Sequence, residues 1–113
     1  MINSIQMLKQ VLVIRHIVLF DFAKEAEGKT AIENAVIAKD MLLSLKDKID
    51  VLKRIEVGIN DAEADETNYT LCLSCDFESL DDLQIYQNHP EHLKVGSFIG
   101  KVKIQRSCVD YEI

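Results

Sequence analysis

An α+β domain with the element order β-α-β-β-α-β is the fold that this 113-residue sequence predicts. Two hydroxyl-capped starts, at Thr30 and Ser79, each open a segment with helical spacing of apolar residues. Four further segments are β-branched or alternate apolar with polar residues. The length suits a single domain.

The first strand spans residues 11–22, "VLVIRHIVLFDF". One parity carries Ile14, His16, Val18, Phe20 and Phe22, and the other Val13, Arg15, Ile17, Leu19 and Asp21. Both faces are substantially apolar, so helices can cover one and the other needs a second layer. "TAIE" then sets Thr30 at an N-cap and Glu33 at N3, a capping box. The helix is expected over 30–49. Ala31, Ala35, Ala38, Leu42, Leu45 and Ile49 form its stripe, widened by Ile32, Val36 and Leu43. Lys46 and Lys48 fall in its last turn, where the helix dipole favours cations.

A second strand is expected over 51–60, then a polar loop, "DAEADETN". "YTLCLSCDF" alternates, with Tyr69, Leu71, Leu73, Cys75 and Phe77 on one face and Thr70, Cys72, Ser74 and Asp76 on the other. Ser79 caps the next helix, with Asp82 at N3, and this helix runs to about Asn88. Pro90 disfavours a helical His89 but suits the first position of a new helix, "PEHLKVGSFIGKV". "IQRSCVDYEI" closes the chain as a last strand. This order is the ferredoxin-like split βαβ arrangement, a four-stranded antiparallel sheet with both helices on one face. The bare face of that sheet predicts a homodimer through facing sheets. Residues 13–113 are read as the domain and residues 1–12 as an N-terminal extension.

Apolar residues make up 48% and charged residues 28% of the chain, a globular composition. Net charge is −6, from 13 basic and 19 acidic residues, and no Lys/Arg cluster stands out, which argues against nucleic acid or an anionic membrane as partner. The longest apolar run is too short to span a bilayer and contains Arg15 and His16. "MINSIQMLKQ" lacks the features of a signal peptide, so a cytoplasmic protein is expected. Cys72 and Cys75 form a C-x-x-C, but an odd separation on a strand turns them to opposite faces, which favours two ordinary strand residues over a redox or zinc pair. Cys108 stands alone in the sequence.

The residues with chemistry gather in "YQNHPEHLKV". His92 extends the stripe of Val95, Ile99 and Val102 and faces inward, while Tyr86 lies one turn after Leu83. His16 shares a strand face with Val18 and Phe20. The first turn of a helix disfavours imidazolium, so His92 is expected neutral near pH 7 and fit to act as a general base. Tyr86 is the matching hydrogen-bond donor to a carbonyl or enolate. The alternative reading makes both ordinary buried residues with polar tips. His89 and His92 form an H-x-x-H, but zinc wants a third protein ligand, from His16 or Glu91, so no metal and no cofactor is assigned.

"IRHIVLFDF", "LKRIEVGIND", "YQNHPEHLKV" and "VDYE" resemble the stress-responsive A/B barrel (Dabb) domain family over roughly residues 13–112. The resemblance implies a dimeric α/β barrel, a ferredoxin-like fold that pairs through its sheets. It implies no uniform activity. Some plant members are stress-induced, and one member, olivetolic acid cyclase, performs an aldol-type cyclisation with a Tyr and a His. In the shared Y-x-x-H-P-x-H run those positions are Tyr86 and His92, and the resemblance sets His16 in the same pocket as a supporting residue. The leading expectation is therefore a homodimer that binds a small molecule. The alternative is a lyase or cyclase that removes a proton next to a carbonyl, and a third reading is a structural partner module. A substrate site of this kind is expected to enclose several hundred Å³, on the order of typical ligand pockets.

Overall fold

The computed structural model describes residues 12–113. The expected extension, but for Leu12, and the expected start of the first strand at Val11 lie outside them. β1 runs Ile14–Phe22 and is followed by a small hairpin, β2 (Glu25–Ala26) and β3 (Lys29–Thr30). α1 spans Ala31–Leu43, β4 Arg54–Ile59 and β5 Leu71–Phe77. α2 (Leu80–Asn88), α3 (Pro90–Val102) and β6 (Lys103–Glu112) complete the chain. The main sheet is antiparallel in the order β4-β5-β1-β6, the ferredoxin-like arrangement, with β1 making both long-range pairings, to β5 and to the edge strand β6.

The sheet packs one face on the helices. Val18, Phe20, Phe22, Val57, Leu71, Leu73, Cys75 and Phe77 supply the strand side of the core. Ala35, Ala38, Leu42, Leu83, Tyr86, Val95, Ile99 and Val102 supply the helix side. Alternation on β1 and β5 thus sorts their residues as strand parity requires.

α1 has the expected capping box: Glu33 N–H donates to Thr30 Oγ1 at 3.2 Å and Thr30 N–H donates to Glu33 Oε1 at 3.0 Å. It is shorter than the expected 30–49. After Leu43 the chain tightens into a 3₁₀ turn, Ser44–Asp47, with Ser44 Oγ donating to the Met41 carbonyl at 2.6 Å. That turn still directs Leu45 into the core, and Ile49 beyond it is buried too. Ile32, Val36 and Leu43 do not widen the buried stripe; they are exposed. Asn34 is fully buried instead, because its Nδ2 donates to the Ala26 carbonyl at 3.0 Å and ties α1 to the hairpin. That hairpin was not expected. Its turn uses Glu27 and Gly28, both with positive φ, and glycine accepts that conformation at little cost.

The opposite sheet face is open in the single chain. Leu19, Val109 and Tyr111 are exposed there and Ile17 is half-buried. Beside them Asp76 accepts from Arg15 Nε at 2.8 Å, Arg15 Nη2 at 3.0 Å and Arg54 Nε at 2.8 Å. Every residue of β6 is exposed.

Candidate functional site

The break between α2 and α3 builds the site. His89 has extended backbone, φ −65° and ψ 137°, as the residue before Pro90 should. It ends α2 and caps α3, its Nδ1 accepting from Glu91 N–H at 3.1 Å. His89 is thereby committed to the cap. His92 follows in the first turn of α3 and turns toward the sheet.

Tyr86 and His92 meet across the break, with ring centroids 4.5 Å apart and planes tilted by 58°. His16 reaches the same place from β1, its ring edge-on to Tyr86 at 6.5 Å. A cavity of about 140 Å³ opens here. Val18, Phe20, Leu42, Leu73, Val95 and Ile99 make its apolar wall, and His16, His92, Gln87, Lys103 and Arg106 its polar one. By volume it has room for about four or five waters, less than the several hundred Å³ expected from sequence.

Tyr86 is fully buried and is not part of that wall. The Cys75 thiol donates to its hydroxyl at 3.9 Å, a weak contact. Burial raises the Tyr86 pKa well above that of a free phenol, and Cys75 adds to the effect. Burial likewise pushes the Cys75 thiol up to about 12, so this cysteine stays protonated. Cys72 lies on the opposite sheet face, paired in register with Leu19.

His92 is held toward its neutral form. Desolvation is the main cause, partly offset by the Gln87 backbone, and the charges of His16, Arg106 and His89 act in the same direction as desolvation. Its Nδ1 is buried and makes no hydrogen bond among the described residues. His16 is differently placed. It is 2% exposed, and its Nδ1 lies 2.5 Å from Asp110 Oδ1. With the proton on Nδ1 the imidazole donates to the carboxylate, which leaves Nε2 as the acceptor.

The chain of residues 14–113 matches the Stress Responsive A/B Barrel Domain family, Dabb. This chain belongs to the Dabb family. A dimeric ferredoxin-like protein of unknown function from Bacteroides fragilis is 33% identical, with TM-score 0.80, covering 89% of this chain and 96% of that one. A dimeric ferredoxin-like protein of unknown function from Thermobifida fusca is 27% identical, with TM-score 0.72 over 92% and 93%. Hydroxynitrile lyase from Passiflora edulis shares the fold at 18% identity, TM-score 0.69, over 89% and 93%. No curated protein sequence matches this chain significantly. Among the described residues no helix is long and apolar enough to cross a membrane.

In this Dabb domain several site residues escaped the sequence reading. Gln87, Lys103 and Arg106 line the cavity, and Asp110 pairs with His16. The strand register decides this: His16 faces Asp110, Val18 faces Cys108 and Phe20 faces Arg106 across the β1–β6 ladder. Cys108, solitary in sequence, stands 3.5 Å from His16 Nδ1. Only the alternation of "RSCVD" hinted that Arg106, Cys108 and Asp110 share a face.

Proposed function

We propose that this Dabb domain is a cytoplasmic homodimer that binds a small, mainly apolar molecule with one polar end in the cavity between β1 and α3. The observation that carries this reading is the wall itself. One side is aliphatic and aromatic, and the other gathers two imidazoles, an amide and two cations. Ligand sites combine an apolar body with a few polar anchors in this way. At about 140 Å³ the space suits a compact molecule and not a long chain. The dimer forms through the open sheet face, where Ile17, Leu19, Val109 and Tyr111 await cover. The dimeric relatives from Bacteroides fragilis and Thermobifida fusca support that assembly.

Native mass spectrometry of the purified protein tests both parts. A dimer carrying a small-molecule adduct is expected, and His92→Ala should lose the adduct while staying dimeric. A bare monomer, or an adduct held unchanged by His92→Ala, would refute the reading.

A second reading is catalytic, a lyase or cyclase step that removes a proton next to a carbonyl. His92, held toward its neutral form and with a buried Nδ1 that has no partner among the described residues, favours it as the base. Tyr86 packs at a tilt against that base, and its hydroxyl, which lies outside the cavity wall against Cys75, has to turn toward the cavity to donate to the developing enolate. His16, oriented by Asp110, supports from the opposite side. Deuterium exchange at the carbon next to the carbonyl of a bound small ketone, abolished in His92→Ala, is the expected signature. Exchange that survives this substitution would exclude His92 as base.

A further inference from the structure

We propose that His16, Cys108 and Asp110 form a zinc site at the edge of the cavity. The three side chains come from facing positions of β1 and β6, so the sheet ladder sets their spacing. Their donor atoms lie within 4.8 Å of one another. They offer one nitrogen, one sulfur and one oxygen, a set that suits a borderline ion such as zinc.

The distances can be compared with what zinc requires. Bond lengths of about 2.0–2.3 Å in a tetrahedron put a sulfur about 3.5–3.6 Å from a neighbouring nitrogen or oxygen. Cys108 Sγ is 3.5 Å from His16 Nδ1 and 3.6 Å from Asp110 Oδ1. Two edges of the ligand triangle already fit. The third, Nδ1 to Oδ1, is 2.5 Å, the length of a short hydrogen bond with the proton on Nδ1. An ion replacing that proton needs this edge to open by about 0.8 Å, to roughly 3.3 Å. The half-exposed Asp110 side chain can supply the movement while buried His16 stays in place.

Binding also releases the Cys108 thiol proton, since only the thiolate ligates. Arg106, two residues before Cys108 on the same strand face, opposes the ion, and the thiolate with Asp110 outweighs that single charge. Three protein ligands leave a fourth position open, the pattern of a zinc that holds water or a ligand rather than one that only braces the fold. His16 and Arg106 both line the cavity, so the ion would sit at its border. The site does not depend on the ligand reading above: it concerns binding of an inorganic ion by residues on two strands.

Desalted full-length protein is titrated with zinc by calorimetry, and cobalt serves as the spectroscopic probe. One zinc per chain is expected, and Cys108→Ser and Asp110→Asn should each weaken binding by more than the roughly 10–100-fold that loss of an outer partner costs. Cobalt should give a thiolate charge-transfer band that disappears in Cys108→Ser and persists in Cys72→Ser. Both strand variants change exposed residues, and their thermal unfolding serves as the folding control. No zinc uptake by the wild type, or uptake and a cobalt band that survive Cys108→Ser, would overturn the site.

Discussion

Asp76 and His92 show how the surroundings decide which form of a buried titratable group is favoured, the charged one for Asp76 and the neutral one for His92. Asp76 is 8% exposed yet stays ionised, because the Arg15 hydrogen bond, and then those of Arg54, hold its pKa at about 2 against desolvation. A depressed carboxylate pKa stabilises the fold above the unfolded value of 3.8, and that contribution is lost as pH falls from 3.8 toward 2. Acid unfolding monitored by circular dichroism should therefore steepen in that window, and Asp76→Asn should flatten it. The same variant should cost about 1.5–3 kcal/mol at pH 7, the range for hydrogen bonds to charged groups. A stability at pH 7 equal to wild type would mean the two arginines are satisfied without it. His92 is shifted in the same direction for a different reason, since burial favours its neutral form. Its folded pKa lies below 6.5, so stability declines as pH falls through 6.5, where the unfolded chain takes up a proton first, and levels off below the folded value. A ring titration followed by NMR with a midpoint at or above 6.5 would contradict this.

Each helix is defined by its first turn more than by its length. The Thr30–Glu33 box satisfies two backbone donors of α1, and Thr30→Ala should lower stability by about 1 kcal/mol in chemical denaturation. Leu42 is 1% exposed between α1 and the sheet, and it also lines the cavity. Leu42→Ala should cost about 2–5 kcal/mol, the range for a buried leucine that leaves a void. A loss below 1 kcal/mol would mean that α3 collapses into the space. At the α2–α3 junction, His89 does the work of a cap and Pro90 sets the bend, which is what aims His92 at Tyr86. An unbroken helix would carry the two rings to different faces, since six residues advance a helix by well over one turn.

For the molecule as a whole, the sheet is covered on one side only. Leu19 at 39% and Val109 at 55% exposure sit on the open face around the Arg15–Asp76–Arg54 cluster. In the proposed homodimer this face should bury roughly 1,200–2,000 Å² in total, the size of a stable interface. Leu19→Glu adds an unpaired charge there and should convert the dimer to a folded monomer in analytical ultracentrifugation, with an unchanged circular dichroism spectrum. A dimer that tolerates Leu19→Glu would place the interface elsewhere. β6, exposed along its whole length in the single chain, carries Arg106, Cys108 and Asp110 of the proposed sites on one face and Val109 and Tyr111 of the proposed interface on the other. The proposed assembly and the proposed site therefore share one strand.

The sequence by itself determined the order of the main strands and helices, the Thr30 and Ser79 caps, the proline break and the strand parities, because each depends on contacts within a few residues. It also marked His16, Tyr86 and His92 as inward-facing, from spacing alone. It misjudged Ile32, Val36 and Leu43, since apolar character says nothing of which way a neighbour lies, and it carried no sign of the burial of Asn34, which depends on a hairpin eight residues upstream. Only the tertiary structure decided the cavity's size and wall, the turning of the Tyr86 hydroxyl to Cys75, and the meeting of His16 with Cys108 and Asp110. That meeting spans more than ninety residues of chain and depends on the register of the β1–β6 ladder, which no local pattern encodes.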